Sequence, residues 1–208
     1  MRRSIYMLLA AGLVAATMVP DVFAASAERP ARRAPRSEGH GAQGQTILRL
    51  HGGFSSPTGD FGDVFDGGLG FGANIAHGIS RSVLFSAGVA YHGFDGDGFA
   101  GDASVIPFTF NLDAFLPSSG RVHPWFGGGV GLYNVDFDTG PIFVPFVGVI
   151  SGSVSETNFG INLGAGFGAP AGDRGVWGAG LKYHHIFEGD TFTDLDFVTL
   201  QVGYGFYL

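Results

Sequence analysis

Cysteine is absent from all 208 residues. That excludes a disulfide framework, a thiol nucleophile and a thiolate metal ligand. Positive charge is scarce: 11 Lys and Arg stand against 18 Asp and Glu, a formal net charge of −7. Nucleic-acid recognition calls for a basic face, so that class is set aside. No segment repeats its apolar residues at a helical period. Beyond the N-terminus no apolar run is a candidate spanning helix. What is abundant is Gly (37) and Phe (21). The glycines lack the three-residue period of collagen, and so much Phe is foreign to a disordered tract.

The chain begins "MRRSIYMLLAAGLVAATMVPDVFAASA". Arg2 and Arg3 precede an apolar core of about fifteen residues, and small-residue cleavage patterns end at Ala24 and at Ala27. The core is shorter than the roughly 20 residues a spanning helix needs. Residues 1–27 therefore read as a secretory signal peptide. Residues 28–44, with "ERPARRAPRSEGHGAQG", hold Pro, Arg, Ala and Gly without apolar periodicity. Such a segment buries too little surface to offset its ordering entropy and reads as a flexible tether.

From Gln45 onward the pattern changes. Eight runs alternate apolar and polar or glycine positions: 45–54, 68–77, 83–94, 104–116, 123–136, 158–169, 176–187 and 196–208. A period of two is the signature of a strand, with successive side chains on opposite faces. "NFGINLGAGFGA", Asn158 to Ala169, is the plainest case. One face of the set carries Leu48, Leu50, Phe71, Ile75, Val89, Phe108, Phe110, Leu163, Leu181 and Val202. The other carries Arg49, His51, Asn74, His92, Asn111, Asp113, Lys182, His184, Gln201 and most of the glycines. In the fifth run, Phe126, Val130 and Leu132 fall on the apolar side, with Trp125 and Tyr133 opposite.

Alternation alone does not say which face is inside. Volume decides. Roughly three dozen apolar side chains would have to share the interior of an eight-stranded barrel, which is only just wide enough for ordinary side chains to fill. Turned outward, the same stripe meets hydrocarbon, and glycine and small polar groups line a narrow lumen. Runs of this length also match the roughly 9–11 residues of a tilted membrane strand. The expected fold is all-β: an eight-stranded antiparallel up-and-down transmembrane β-barrel over residues 45–208. Arg49, Asp113 and Lys182 are the charges well inside the runs, all on the polar phase. Inside the barrel they are expected to form a connected network with His51, Asn74, His92, Asn111, His184 and Gln201, because an unpaired buried charge is costly.

The two ends differ. "GISRS", "PSSGR" and "APAGDRG" are short and carry Arg81, Arg121 and Arg174. The alternate connections are long and hold Asp60, Asp63, Asp66, Asp95, Asp97, Asp102, Asp136, Asp138, Glu156, Glu188, Asp190, Asp194 and Asp196, with no Lys or Arg. Long loops outside and short turns in the periplasm are the arrangement of outer-membrane barrels. An acidic rim attracts cations and repels polyanions, so divalent bridging to lipopolysaccharide phosphate is one expectation. Within "DGDGFAGD", Asp95 and Asp97 fit the first two ligand positions of a calcium loop. Phe99 fails the third, leaving Asp95, Asp97 and Asp102 as candidate weak cation ligands. No confident metal site and no cofactor is expected.

"KYHHIFEGD" is the stretch that raises catalysis. His185 and Asp196 are set to meet across a hairpin, with Ser153 or Ser155 as the nucleophile of a lipid-cleaving set. The alternative places Tyr183, His185 and Phe187 in an interfacial aromatic girdle. The apolar tract "PIFVPFVGVI", Pro141 to Ile150, in the third long connection is read either as a partner-contact surface or as an extension of the fifth and sixth strands above the membrane.

The opening hairpin "GGFSSPTGDFGDVFDGGLGFGA", the glycine-alternating strands and the final strand "VTLQVGYGFYL" resemble the small outer-membrane β-barrel family, the OmpA/OmpX-like domains of the porin superfamily. The resemblance covers about residues 45–208. It implies insertion by the barrel-assembly machinery, which reads the last strand; here the matching positions are Val202, Tyr204, Phe206 and Leu208, with Leu in place of the usual terminal aromatic. It names no catalytic residue. The expectation is a non-enzymatic, monomeric protein of a Gram-negative outer membrane, with a structural or surface-binding role through its acidic loops. Alternatives are a lipid-modifying enzyme, a narrow pore and, last, a soluble ligand-binding barrel.

Overall fold

The computed structural model describes residues 42–96, 101–144, 148–189 and 193–208, with backbone alone at 139–144 and 148–151. The leader, nearly all of the tether, Asp97 and the centre of the Pro141–Ile150 tract lie outside the described residues.

Each alternating run becomes one strand: β1 Thr46–Thr58, β2 Gly68–Gly78, β3 Val83–Gly96, β4 Ala103–Phe115, β5 His123–Val144, β6 Gly148–Pro170, β7 Gly175–Ile186 and β8 Leu195–Tyr207. Every strand pairs antiparallel with its chain neighbours, and β8 pairs with β1 from Ile47↔Tyr207 to Thr58↔Asp196. That last pairing closes the sheet into an eight-stranded up-and-down barrel and leaves no open edge along the cylinder. A two-residue strand, Phe65–Asp66, adds to the upper end of β3. The first long connection also contains a 3-10 turn, Gly59–Asp63.

The packing is inside out. Phe71, Phe108, Phe110, Leu163 and Val202 are 64%, 56%, 56%, 61% and 48% exposed, whereas Ser86, His92, Asn111, Asp113, Asn162, His184 and Thr199 are buried. A barrel cored like a soluble cup requires the reverse.

The lumen glycines are seats for large side chains leaning over from strands one or two away in the sheet. Trp125 and Tyr133, on the lumen side of β5, show this. A Cβ at Gly180 would lie 2.8 Å from the Trp125 ring, and one at Gly160 would lie 2.7 Å from the Tyr133 ring. On β4, Thr109, Asn111 and Asp113 lie likewise across Gly131, Gly129 and Gly127. Alternating glycine in one strand thus makes room for bulk in the next.

One open alternative of the sequence reading is decided, and one difference from it stands out. The third long connection is a ladder for most of its length: β5 and β6 stay paired to Val144↔Gly148, with one register irregularity between Thr139 and Ile142. Of the two readings of Pro141 to Ile150, the backbone follows strand extension. Second, the lumen phase is not polar throughout. Phe94, Val105, Val135, Ile186 and Phe197 point inward at the long-loop end and are buried.

Candidate functional site

The lumen is layered, and the strand register sets the layers. At the short-turn end Ile47, Ala76 and Leu84 pack together, with Ala42, Phe115 and Val176 against them. Above them lies the charged layer. Arg49 Nε donates to Asn74 Oδ1 at 2.7 Å, and its Nη2 donates to Asp113 Oδ2 at 3.0 Å. Lys182 on β7 sits within electrostatic reach of both Asp113 and Arg49. His51 lies over Gly72, and Gln201 sits in register with Gly53 and Gly180.

A hydroxyl and imidazole layer follows. Ser55 Oγ is 2.7 Å from His92 Nδ1 and 3.1 Å from Thr199 Oγ1. Tyr133 Oη is 3.1 Å from His184 Nδ1, and the His184 ring stacks on Phe197 at 4.5 Å. Above this an aromatic plug closes the long-loop end. Phe61, carried in by the 3-10 turn, packs on Phe65, Phe94 and Phe137 at 5.0, 5.1 and 6.3 Å, and Phe94 packs on Phe197 at 5.4 Å. Val105, Val135, Ile186 and Leu195 complete it. The arrangement can hold charges in a fixed, desolvated lattice; both of its ends are apolar.

The sequence reading placed the nine polar lumen residues on one face, and the barrel turns that face inward. Asn162 and Thr199 also fall on that polar phase; Ser55, just past the end of the first run, was missed as a lumen partner, and so was the plug. A signal for the plug was present: Phe94 and Phe197 are aromatic residues out of phase with the lipid stripe of their own strands.

On the outer surface the apolar band is flanked by two aromatic girdles. Near the short turns, Trp177, Tyr204 and Phe206 contact one another at 4.9 and 4.7 Å. Near the long loops, Phe159 and Phe187 stack at 5.9 Å, and His185 meets Phe187 edge-on at 4.7 Å. From Trp177 to Phe187 is ten residue steps along β7, roughly 34 Å of strand. A tilt of about 40° leaves about 26 Å, close to the roughly 25 Å apolar band of a bilayer barrel.

His185 and Asp196 do meet: Nδ1 donates to Oδ1 at 2.8 Å, and the Tyr183 hydroxyl donates to the same oxygen at 2.6 Å. The expected serine is not there. His185 is in register with Ile161, so Ser155 lies six residues farther along β6, about 20 Å away, and Ser153 about 27 Å away. Ser155 Oγ instead accepts from Asn134 Nδ2 at 3.1 Å. The pairing of Asp66 with Asp95 stands at the acidic end. Among the described residues no three His, Asp or Glu side chains gather as metal ligands.

These features define a class: a closed eight-stranded antiparallel barrel whose apolar belt faces outward, between two aromatic girdles. Solved structures share that fold. Neisserial surface protein A matches with a TM-score of 0.58 at 14% identity, covering 78% of this chain and 97% of that one. The outer membrane protein OprG from Pseudomonas aeruginosa matches with a TM-score of 0.53 at 15% identity, over 81% and 98%. Ail of Yersinia pestis, solved with the heparin analogue sucrose octasulfate, matches with a TM-score of 0.50 at 16% identity, over 80% and 99%. No protein-family model matches the chain, and no curated protein matches it.

Proposed function

We propose that the chain is a monomeric, non-enzymatic protein of a Gram-negative outer membrane, exported by residues 1–27. In this reading it carries a surface-binding hairpin and an acidic rim into the external medium. One observation carries the reading: β5 and β6 remain paired well past the last lipid-facing residues, Leu132 and Phe159. From Leu132 to Val144 is twelve residue steps, or about 40 Å of strand beyond the apolar belt. A ladder of that length is superfluous for spanning a bilayer and gives a partner an extended surface.

The rim's chemistry narrows the partner. All of its formal side-chain charge is negative, so cationic or neutral surfaces are favoured and sulfated polymers are repelled. Ail was solved with a polysulfated ligand; this chain has no Lys or Arg in its long connections to receive one. Asp95, Asp97 and Asp102 contribute to a rim that holds divalent cations against lipopolysaccharide phosphate. Val202, Tyr204, Phe206 and Leu208 present the strand that the barrel-assembly machinery reads.

The test uses cells displaying the full chain and cells displaying a chain lacking Pro141 to Ile150. Both proteins should fractionate with the outer membrane and shift in gel mobility on heating. Adhesion should be lost with the deletion. Equal adhesion by both would remove the hairpin from the reading, and recovery in the periplasmic fluid would remove the membrane.

A further inference from the structure

We propose that the short-turn end of the barrel is a docking surface for anionic phospholipid, with Arg81, Arg121 and Arg174 holding headgroup phosphates of the periplasmic leaflet. The three lie on the β2–β3, β4–β5 and β6–β7 turns, and all three residues are exposed. Those turns take up three quarters of the rim, and the two chain ends, at β1 and β8, take up the fourth. Backbone hydrogen bonds fix them to their surroundings. Phe115 N donates to Ser82 O at 2.8 Å, Ala42 N to Arg81 O at 3.1 Å, and Tyr207 N to Arg174 O at 3.1 Å. The cations are thus spread around the circumference on an anchored frame.

Each arginine has an exposed apolar or aromatic residue beside it. Ile79, two residues before Arg81, is 55% exposed, and Val122, directly after Arg121, is 50% exposed. Tyr207, whose backbone meets that of Arg174, is 40% exposed. At a bilayer interface such side chains enter the acyl boundary while the guanidinium stays among the headgroups. The height fits. Arg174 stands three residue steps from Trp177 in the girdle of this end, about 10 Å of strand, or about 8 Å of height at a tilt of about 40°. The headgroup region on each side of a bilayer is roughly 5–8 Å deep, within reach of an arginine that folds back toward the belt.

Charge selects among lipids. The three turns carry three Arg against one carboxylate side chain, Asp173. The planar guanidinium matches a pair of phosphate oxygens. A zwitterionic headgroup offsets its phosphate with its own ammonium, whereas a phosphatidylglycerol headgroup does not, so the anionic lipid is held more tightly. An anionic cell-wall glycan-peptide would meet the same charges but would leave Ile79 and Val122 in water, so lipid is the occupant. The inference rests on the membrane barrel and is independent of the surface-binding hairpin.

Solid-state NMR of the full chain, carbon-labelled at arginine in bilayers of phosphatidylethanolamine and phosphatidylglycerol, tests it. Lipid phosphorus should dephase the guanidinium carbons of Arg81, Arg121 and Arg174 and spare that of Arg49, which is held against Asp113 in the lumen. Spin-labelled phosphatidylglycerol should be enriched at the barrel several-fold over spin-labelled phosphatidylcholine. That enrichment should fall toward parity when Arg81→Gln, Arg121→Gln and Arg174→Gln are combined. No dephasing at the three carbons of the native chain overturns the proposal, whether or not the variant folds. Equal enrichment by native and variant chains overturns it too. Displacement of the lipid phosphorus signal by added cell-wall glycan-peptide would assign the surface to the wall and overturn it equally. Deleting Pro141 to Ile150 should leave the dephasing unchanged, so this proposal and the hairpin reading fail separately.

Discussion

At the scale of single residues, the cost of a lumen change depends on what it leaves behind. Asp113 is 6% exposed and pairs with Arg49. Asp113→Asn leaves a guanidinium without its counter-charge in a sealed layer, and breaking one partner of a buried pair costs about 3–5 kcal/mol. Replacing both, as Arg49→Met with Asp113→Leu, should recover most of that loss, because the pair itself contributes little net. Urea titration in lipid vesicles reads both variants, and a double variant as unstable as the single would contradict the assignment. Glycines divide in the same way. Gly129→Ala drives a Cβ into the Phe110 carbonyl and Asn111, and an overpacking cost of about 1–3 kcal/mol is expected. At Gly178 the nearest atom to an added Cβ is the Phe167 carbonyl oxygen at 3.6 Å, so Gly178→Ala should leave the unfolding midpoint unchanged within error. Two alternating glycines of identical sequence pattern thus differ in tolerance, and the difference lies in the neighbouring strand.

At the scale of the element, period two is enough to recover all eight strands, because a face turned to hydrocarbon must be apolar at nearly every second position. It does not recover the length of β5 and β6. Above the belt both faces are wet, the alternation loses its cause, and the sequence leaves "DTGPIF" open between loop and strand although most of its backbone pairs. The plug was hidden for a related reason. A lumen-phase Phe94 or Phe197 adds an apolar residue to a strand that already has many, and alternation cannot say which layer of the interior it reaches. The girdle pair His185–Asp196 was legible from hairpin spacing, whereas the distance of Ser153 and Ser155 was not, since the register fixes it. The apolar belt itself makes a depth-dependent prediction. Leu163, between the two girdles on β6, is 61% exposed, and Leu163→Arg should cost about 2–4 kcal/mol in lipid. Leu69→Arg, beside the first long loop, should cost only about 0–1 kcal/mol. Equal penalties at the two positions would show that the belt has been placed at the wrong height.

At the scale of the whole molecule, the layers decide whether the barrel conducts. A water-filled route must pass the Ile47, Ala76 and Leu84 layer at one end and the Phe61, Phe94 and Phe197 layer at the other. Between them the charged groups are paired or held by neighbours, so an ion entering there would have to displace Arg49 from Asp113. An eight-stranded barrel leaves little free lumen to begin with, and apolar constrictions exclude ions by dewetting. The reconstituted chain should therefore give no discrete conductance steps in planar bilayers. Phe61→Ala thins the outer plug but leaves the inner layer intact, so that variant should be silent as well. Adding Leu84→Ser breaches the second layer, and the double variant is where brief openings are expected. Unitary steps from the native chain would mean that one apolar layer opens in the membrane, and the narrow-pore reading would then displace the structural one.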